Sequence, residues 1–248
     1  MTFSPEEVER YARHLVLAEI GGAGQQRLKA ATVLIVGAGG VGGPAALYLA
    51  AAGVGRIRII DGDTVALSNL QRQILFDSAD MGRPKVEAAA DRLTALNPHV
   101  SLEILDHPID EDNADAVIAG TDVVLDGTDD FQTRHGVNAA CVRAGIPLVS
   151  GAVGQWTGQV GVFAGRPCYR CLVPDAPPDA ETCARVGVVG ALTGIIGAMA
   201  ALETIKLLTG AGEPLTGRLM LYDGLSATSR TVTVPPDPDC PDCGRVAG

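Results

Sequence analysis

The chain has 248 residues, 47% of them hydrophobic, enough for one sizeable packed core and too apolar for a disordered polymer. Lys and Arg number 19 against 29 Asp and Glu, a net charge of −10 that argues against nucleic acid as the main partner, since a phosphate backbone needs a basic face. The segment MTFSPEEVERYARHL has early acids and no apolar run, and the longest uncharged stretch, Val186 to Leu202, falls short of the ~20 residues of a membrane span; a cytoplasmic protein without a membrane helix is expected.

SPEE, Ser4 to Glu7, is a capping box with Pro at the first helical position, so a helix starts there. ATVLIVGAG is an apolar run ending in Gly, the pattern of a strand buried on both faces. Pro44 to Gly53 reads as a helix and RIRIIDGD as the second strand. Arg83 to Leu96 carries Val86, Ala89, Ala90, Leu93 and Leu96 on one face and stops at Asn97-Pro98. VSLEIL, DVVLDGTDD and IPLVSGAV supply three more strands, with helices near Asn113 to Gly120 and Thr133 to Ala144. After Ser150 the pattern becomes antiparallel in GQVGVFAG, GRLMLYDG and ATSRTVTV, with a helix from about Val189 to Leu208. The expected fold is α/β: a Rossmann-like, mostly parallel sheet with helices on both faces, continued by antiparallel strands. We read one domain over 1–248, in two parts: about 30–150, where strands and helices alternate, and about 151–248, where the antiparallel strands lie.

Gly37, Gly39 and Gly42 fit G-x-G-x-x-G, which permits a tight turn and close approach of phosphate to a helix N-terminus. Asp61 ends the next strand, where a carboxylate takes ribose hydroxyls. The turn alone does not choose between NAD and ATP. SNLQRQ, Ser68 to Gln73, and GRPKVEAA then add Arg72, Arg83 and Lys85. With Pro84 at the first helical position, Arg83 and Lys85 sit at the positive end of a helix dipole, unfavourable unless an anion lies nearby. Solvated surface cations are the plainer reading, and a polyphosphate pocket the one favoured once Arg72 and the glycine turn are counted. Asp126, Asp129 and Asp130 follow an apolar strand and should face the same crevice, where carboxylates beside a polyphosphate suit Mg²⁺; the alternative is that Asp126 and Asp129 cap the following helix.

Cys168/Cys171 and Cys240/Cys243 form two C-x-x-C pairs, which suit a closed tetrahedral Zn²⁺ site; a redox pair is the alternative. Their separation requires the fold to bring them together. Cys141 sits on an apolar helix face and reads as core, while Cys183, beside Arg185, stays open between reactive and inert. Of His14, His99, His107 and His135, none shows a metal spacing, and an acid–base catalyst is hard to find. A chain-terminal carboxylate would need none, being ionised at pH 7 with a pKa of about 3.3–3.7.

These residues resemble the ThiF/MoeB (HesA/MoeB/ThiF) family, bacterial relatives of the ubiquitin-activating enzymes. RYARHL, GAGGVG, DGDTVALSNLQRQ, GRPKVEAA, DGTDD, IPLVSGA, CYRC, TCARVGV, ALETIKLL and CPDC run in order over nearly the whole chain. The resemblance implies an adenylyltransferase that joins ATP to the C-terminal Gly of a ubiquitin-like sulfur-carrier protein ending in Gly-Gly, giving an acyl adenylate and pyrophosphate. It implies that Gly37, Gly39, Gly40, Gly42, Asp61, Ser68, Asn69, Leu70, Gln71, Arg72, Lys85, Asp129 and Asp130 form the nucleotide site. Asp129 is then the Mg²⁺ ligand, with Arg72 and Lys85 as catalytic cations. Arg13 would reach the neighbouring subunit of a homodimer, and Cys183 matches the family's mobile cysteine. Asp130 departs from the family's usual Asn, which puts nucleotide affinity or its metal dependence in question. No rhodanese-like extension follows Gly248, so a separate sulfur donor is expected. The molybdopterin and thiamine-thiazole branches share every motif; the resemblance is nearer to the molybdopterin branch. An NAD-dependent redox enzyme and a non-catalytic zinc scaffold are the competing readings.

Overall fold

The computed structural model describes residues 2–175 and 187–244. Ser4 caps α1 (Pro5–Arg10), its hydroxyl accepting from Glu7 N while the Glu7 carboxylate accepts from Ser4 N, as the capping box requires. Two further helices, α2 (Ala12–Leu15) and α3 (Gly21–Ala30), lead into β1 (Thr32–Val36), α4 (Gly42–Ala52) and β2 (Arg56–Ile60). There follow α5 (Lys85–Leu96), β3 (Ser101–Leu105), α6 (Ala114–Ile118), β4 (Val123–Asp126), α7 (Phe131–Ala144), β5 (Leu148–Gly154) and β6 (Thr157–Phe163). The short α8 (Tyr169–Leu172), the long α9 (Gly190–Thr209), β7 (Arg218–Asp223) and β8 (Thr228–Thr233) complete the described chain.

All of the described strands join one eight-stranded sheet in the order β3-β2-β1-β4-β5-β6-β7-β8. The pairs from β3 to β5 are parallel and those from β5 to β8 antiparallel. The antiparallel continuation expected after Ser150 is observed, and β5 is the hinge between the two patterns: it runs to Gly154, parallel to β4 on one side and antiparallel to β6 on the other. The order reverses between β1 and β4, which creates the crevice where open parallel sheets receive ligands. Register brings the strand ends level there: Val36 lies opposite both Ile60 and Asp126, so the turns that follow all three face one another.

The pleat of β1 sends alternate side chains to opposite faces. Val33 and Ile35 enter the core under α4 and α9, while Leu34 and Val36 enter the one under α6 and α7. All four are buried, which is why the run is apolar throughout. Truncating a side chain such as Ile35 to Ala would cost roughly 2–5 kcal/mol.

Helix starts differ from expectation in ways that matter for the crevice. α4 begins at Gly42 rather than Pro44, α5 at Lys85 with Pro84 in the capping position, and α7 at Phe131 rather than Thr133. From Gly190 the apolar stretch belongs to the 20-residue α9, which by length and composition alone could cross a membrane. In the fold α9 packs on α3, α4, β5 and β6, burying Leu192, Ile196, Ala200 and Ala201.

Candidate active site

A cleft of about 500 Å³ opens at the strand-order reversal. Its floor is the glycine turn. Gly37 has φ +86°, a left-handed conformation that side chains disfavour, and a Cβ on Gly42 would lie 1.8 Å from the Gly37 carbonyl oxygen. Gly42 thus lets α4 close down on the turn and does not itself line the cleft, whereas Gly37, Gly39 and Gly40 do. The turn is held from β2: Asp61 accepts from Ala38 N through one carboxylate oxygen (2.8 Å) and from Asp63 N through the other (2.9 Å). Burial pushes the Asp61 carboxyl above its ordinary range, against the pull of Lys85 and these two amides.

Two cations enter from one side. The segment before α5 folds back as a bridge between Thr64 and Pro84, and Lys85 N bonds Asp63 O, which aims the Lys85 side chain into the cleft. Its ammonium, 4% exposed as a residue, lies 2.7 Å from Asp63 Oδ2 and 3.9 Å from Asp61 Oδ2. Asp63 itself is largely exposed, so an incoming anion can replace it on Lys85 without stranding a buried carboxylate. Arg72 follows a short 3₁₀ turn, Leu67–Asn69, and donates to the Ser68 carbonyl at 3.0 Å. Both Arg72 and Asn69 line the cleft. Arg83 is a correction: its anions are Asp80 (2.9 Å) and Asp91 (2.6 Å), and it does not line the cleft.

The acidic loop between β4 and α7 forms the opposite wall. Asp129 and Asp130 are exposed and line the cleft, but Asp126 is fully buried and faces inward, contrary to expectation. It accepts from Thr128 N (2.9 Å) and Thr128 Oγ1 (2.7 Å) and pairs with Arg134 at 3.5 Å. The helix cap is neither Asp126 nor Asp129: Asp130 accepts from Thr133 N at 2.7 Å. Asn caps as well as Asp, so either residue at 130 satisfies the helix, and the charge of Asp130 is partly answered by the helix dipole.

Behind α7 the four cysteines converge as the two C-x-x-C pairs suggest, with all Sγ atoms within 4.8 Å of one another. Cys168 and Cys240 Sγ lie 3.6 Å apart, and Cys171 and Cys243 Sγ 3.4 Å. A tetrahedral site with Zn–S of about 2.3 Å has S···S edges of roughly 3.8 Å, so the cluster fits the ion. Asn138 Nδ2 donates to Cys168 Sγ and Asp237 N to Cys171 Sγ, both at 3.4 Å, as suits thiolates. Burial pushes the Cys168 and Cys243 thiols up, a shift that a cation bound among the four would oppose.

The remaining candidates lie elsewhere. Ser68 and Gln71 are exposed and Leu70 packs on the core; none lines the cleft. Arg13, on α2, is exposed and outside this chain's own cleft. Cys183 falls outside the described residues, and Cys141 is buried core. His14 bonds Gln25, His135 the Val173 carbonyl, His107 the Pro108 carbonyl, and His99 faces Glu6; none lines the cleft. Gln73, Thr193 and Arg134 do line it and were not singled out from sequence. Gln73 stands next to Arg72 in the same motif and could have been; Thr193 arrives on α9 and meets Gly40 only through the fold.

A glycine turn, paired cations and an acidic loop at the switch point of a mostly parallel sheet define a nucleotide-binding α/β protein, here with a four-cysteine knuckle on its tail. Within that class the chain belongs to the ThiF family, whose model matches residues 11–242. It is 45% identical to the SAMP-activating enzyme E1 of Haloferax volcanii over 99% of this chain and 92% of that protein. It is 46% identical to the sulfur carrier protein adenylyltransferase of Thermus thermophilus (98% and 93% covered) and 44% identical to the molybdopterin-synthase adenylyltransferase of Escherichia coli (98% of both). Solved structures share the fold: Escherichia coli MccB with MccA-N7isoASN gives a TM-score of 0.85 at 24% identity, covering 98% of this chain and 76% of that one. PaaA gives 0.79 at 26% identity, covering 94% and 75%.

Proposed function

We propose that the protein adenylylates the C-terminal glycine of a ubiquitin-like sulfur-carrier protein with ATP, releasing pyrophosphate, in molybdenum cofactor biosynthesis. The observation that carries this reading is the convergence of Arg72, Lys85 and Asp129 on one cleft above the glycine turn. Relatives of 44–46% identity named as sulfur-carrier and molybdopterin-synthase adenylyltransferases support it. A hydride-transfer enzyme has no need of the second basic cluster, and the described cleft offers no histidine for one. The thiamine-thiazole carrier is the second reading, since the motifs are shared.

In the proposed reaction the carrier's ionised carboxylate oxygen forms a bond to the α-phosphorus and the bond from that phosphorus to the β-phosphate oxygen breaks. No proton moves, so no general base is required; alignment and charge neutralisation remain. Asp61 takes the ribose, and the turn receives the phosphates at Gly39 and Gly40, beyond the Gly37 and Ala38 amides that Ile60 and Asp61 hold. Arg72 and Lys85 answer the charge on the departing pyrophosphate, Lys85 exchanging Asp63 for it. Asp129 would hold Mg²⁺, which supplies charge neutralisation along the phosphate chain. A second groove of about 780 Å³ along β5 to β8 shares Ala152 and Val153 with the cleft, which suits it to guide the carrier's tail to the α-phosphate. The cysteine cluster would hold structural Zn²⁺. Arg13 would serve the neighbouring cleft of a homodimer, and a separate donor would deliver sulfur to the adenylate.

The test is ATP–pyrophosphate exchange with purified molybdopterin-type and thiazole-type carriers. Exchange requiring Mg²⁺ and a Gly-Gly end, and faster with the molybdopterin-type carrier, is expected. No exchange with either, from a zinc-replete protein, overturns the proposal.

A further inference from the structure

Among the described residues, Arg134 is the one cleft-lining cation the proposed reaction does not use. It projects from the first turn of α7 and is 4% exposed, buried as deeply as a core residue. Its Nη2 donates to two carbonyls from different elements, Thr128 in the acidic loop and Gly151 in β5, the latter at 2.9 Å. Its Nη1 donates to Ser150 Oγ at 2.9 Å and faces Asp126 Oδ2 at 3.5 Å. On the far side the guanidinium lies 5.9 Å from the ring centre of Tyr169, the residue following Cys168. Tyr169 N in turn donates to Asn138 Oδ1 (2.8 Å), and Asn138 Nδ2 holds Cys168 Sγ and Asp242 (2.7 Å).

Burying a guanidinium costs several kcal/mol unless its donors are answered, so such a group persists where its geometry specifies something. Here the planar fork ties the carbonyl immediately before Asp129 to β5, while the guanidinium lies beside the ring of Tyr169, the residue that follows Cys168. On its other side Thr128 donates through N and Oγ1 to Asp126, itself paired with Arg134, so the buried Asp126–Arg134 pair grips this residue of the loop from both faces; Asp130 secures only the helix side.

We infer that Arg134 is a positioning residue that holds Asp129 at the angle required to bind the metal–nucleotide complex, acting through the Thr128 carbonyl and braced by Tyr169 of the cysteine knuckle. The inference rests on the reading of Asp129 as the Mg²⁺ ligand. Lysine keeps the charge but has a single nitrogen, so it cannot hold the Thr128 and Gly151 carbonyls from one prong while a second prong bonds Ser150 and faces Asp126. The fork, not the charge, is therefore what the loop depends on.

The experiment is calorimetric ATP binding to the zinc-loaded protein, with Mg²⁺ and with EDTA-free buffer lacking Mg²⁺, for wild type, Arg134→Lys and the charge-neutral double variant Arg134→Met/Asp126→Asn. Each variant is first checked for zinc content and cooperative melting, and the double variant keeps the test usable should the lysine variant fold poorly. We expect affinity with Mg²⁺ to fall roughly 10–100-fold, the usual range when support behind a metal ligand is lost, with affinity lacking Mg²⁺ changing less than about 3-fold. An equal fall in both conditions would make Arg134 a general structural residue and overturn the inference, as would wild-type affinity in both. A wild type that binds ATP equally with and without Mg²⁺ would instead remove the Asp129 assignment on which the inference stands.

Discussion

The cleft and the cysteine knuckle lie at the N-terminal turn and the middle of the same helix, α7, and they handle charge in opposite ways. In the knuckle every described sulfur has a neighbour at 3.4–3.6 Å and the second layer is closed by Asn138 and Asp237. In the cleft the charges are left exchangeable: Lys85 is buried but its partner Asp63 is exposed, and Asp129 is exposed on a loop. A site that must bind and release a polyanion cannot satisfy its cations permanently, whereas a staple can. The contrast separates exchangeable from settled charges more sharply than burial alone, since Arg134 is as buried as Lys85 yet held by three acceptors besides its paired carboxylate.

That contrast can be broken by removing each half in turn. Stripping metal from the knuckle, by chelation or Cys243→Ser, should have the largest effect on stability, because such a site contributes on the order of 10 kcal/mol to folding. Melting followed with zinc content should show a large fall in Tm together with the loss of the ion; an unchanged Tm would make the knuckle dispensable. Asp129→Ala should do the reverse, lowering pyrophosphate exchange by roughly 100- to 1000-fold with zinc content and Tm unchanged. Loss of zinc in that variant would place Asp129 with the structural half. Asp130→Ala should remove the α7 cap and cost about 1 kcal/mol in chemical denaturation, while Asp130→Asn should leave stability within about 0.5 kcal/mol. A destabilised Asn variant would show that the carboxylate charge, not the cap, is what position 130 supplies.

Much of this division was legible in the chain because it depends on short spacing. The glycine turn, the strand before it and the two C-x-x-C pairs are local patterns whose physics is nearly independent of context, and Lys85 stands where its motif places it. What spacing could not convey was partnership across the sheet. Asp126 reads as one more acid after an apolar strand; it is buried because β4 lies between β1 and β5 and α7 brings Arg134 over its end. Arg83 resembles Lys85 in sequence, but Asp91, two turns along α5, claims it. The cap fell on Asp130 because α7 starts at Phe131, and a capping carboxylate bonds the amide three residues on. The antiparallel continuation of the sheet past Ser150 was legible, but not the order of its strands, since alternation identifies strands and not their neighbours.

The central claim is that the cleft is a Mg–ATP site aimed at a carboxylate rather than a dinucleotide site. Its most direct test is the intact mass of a Gly-Gly-ended sulfur carrier after incubation with the protein, Mg²⁺ and ATP, with pyrophosphatase present to prevent reversal. The account predicts a carrier bearing one adenylate, lost when Mg²⁺ is omitted or the terminal glycine removed. An unmodified carrier, accompanied by saturable NADH binding that ATP does not displace, would contradict it.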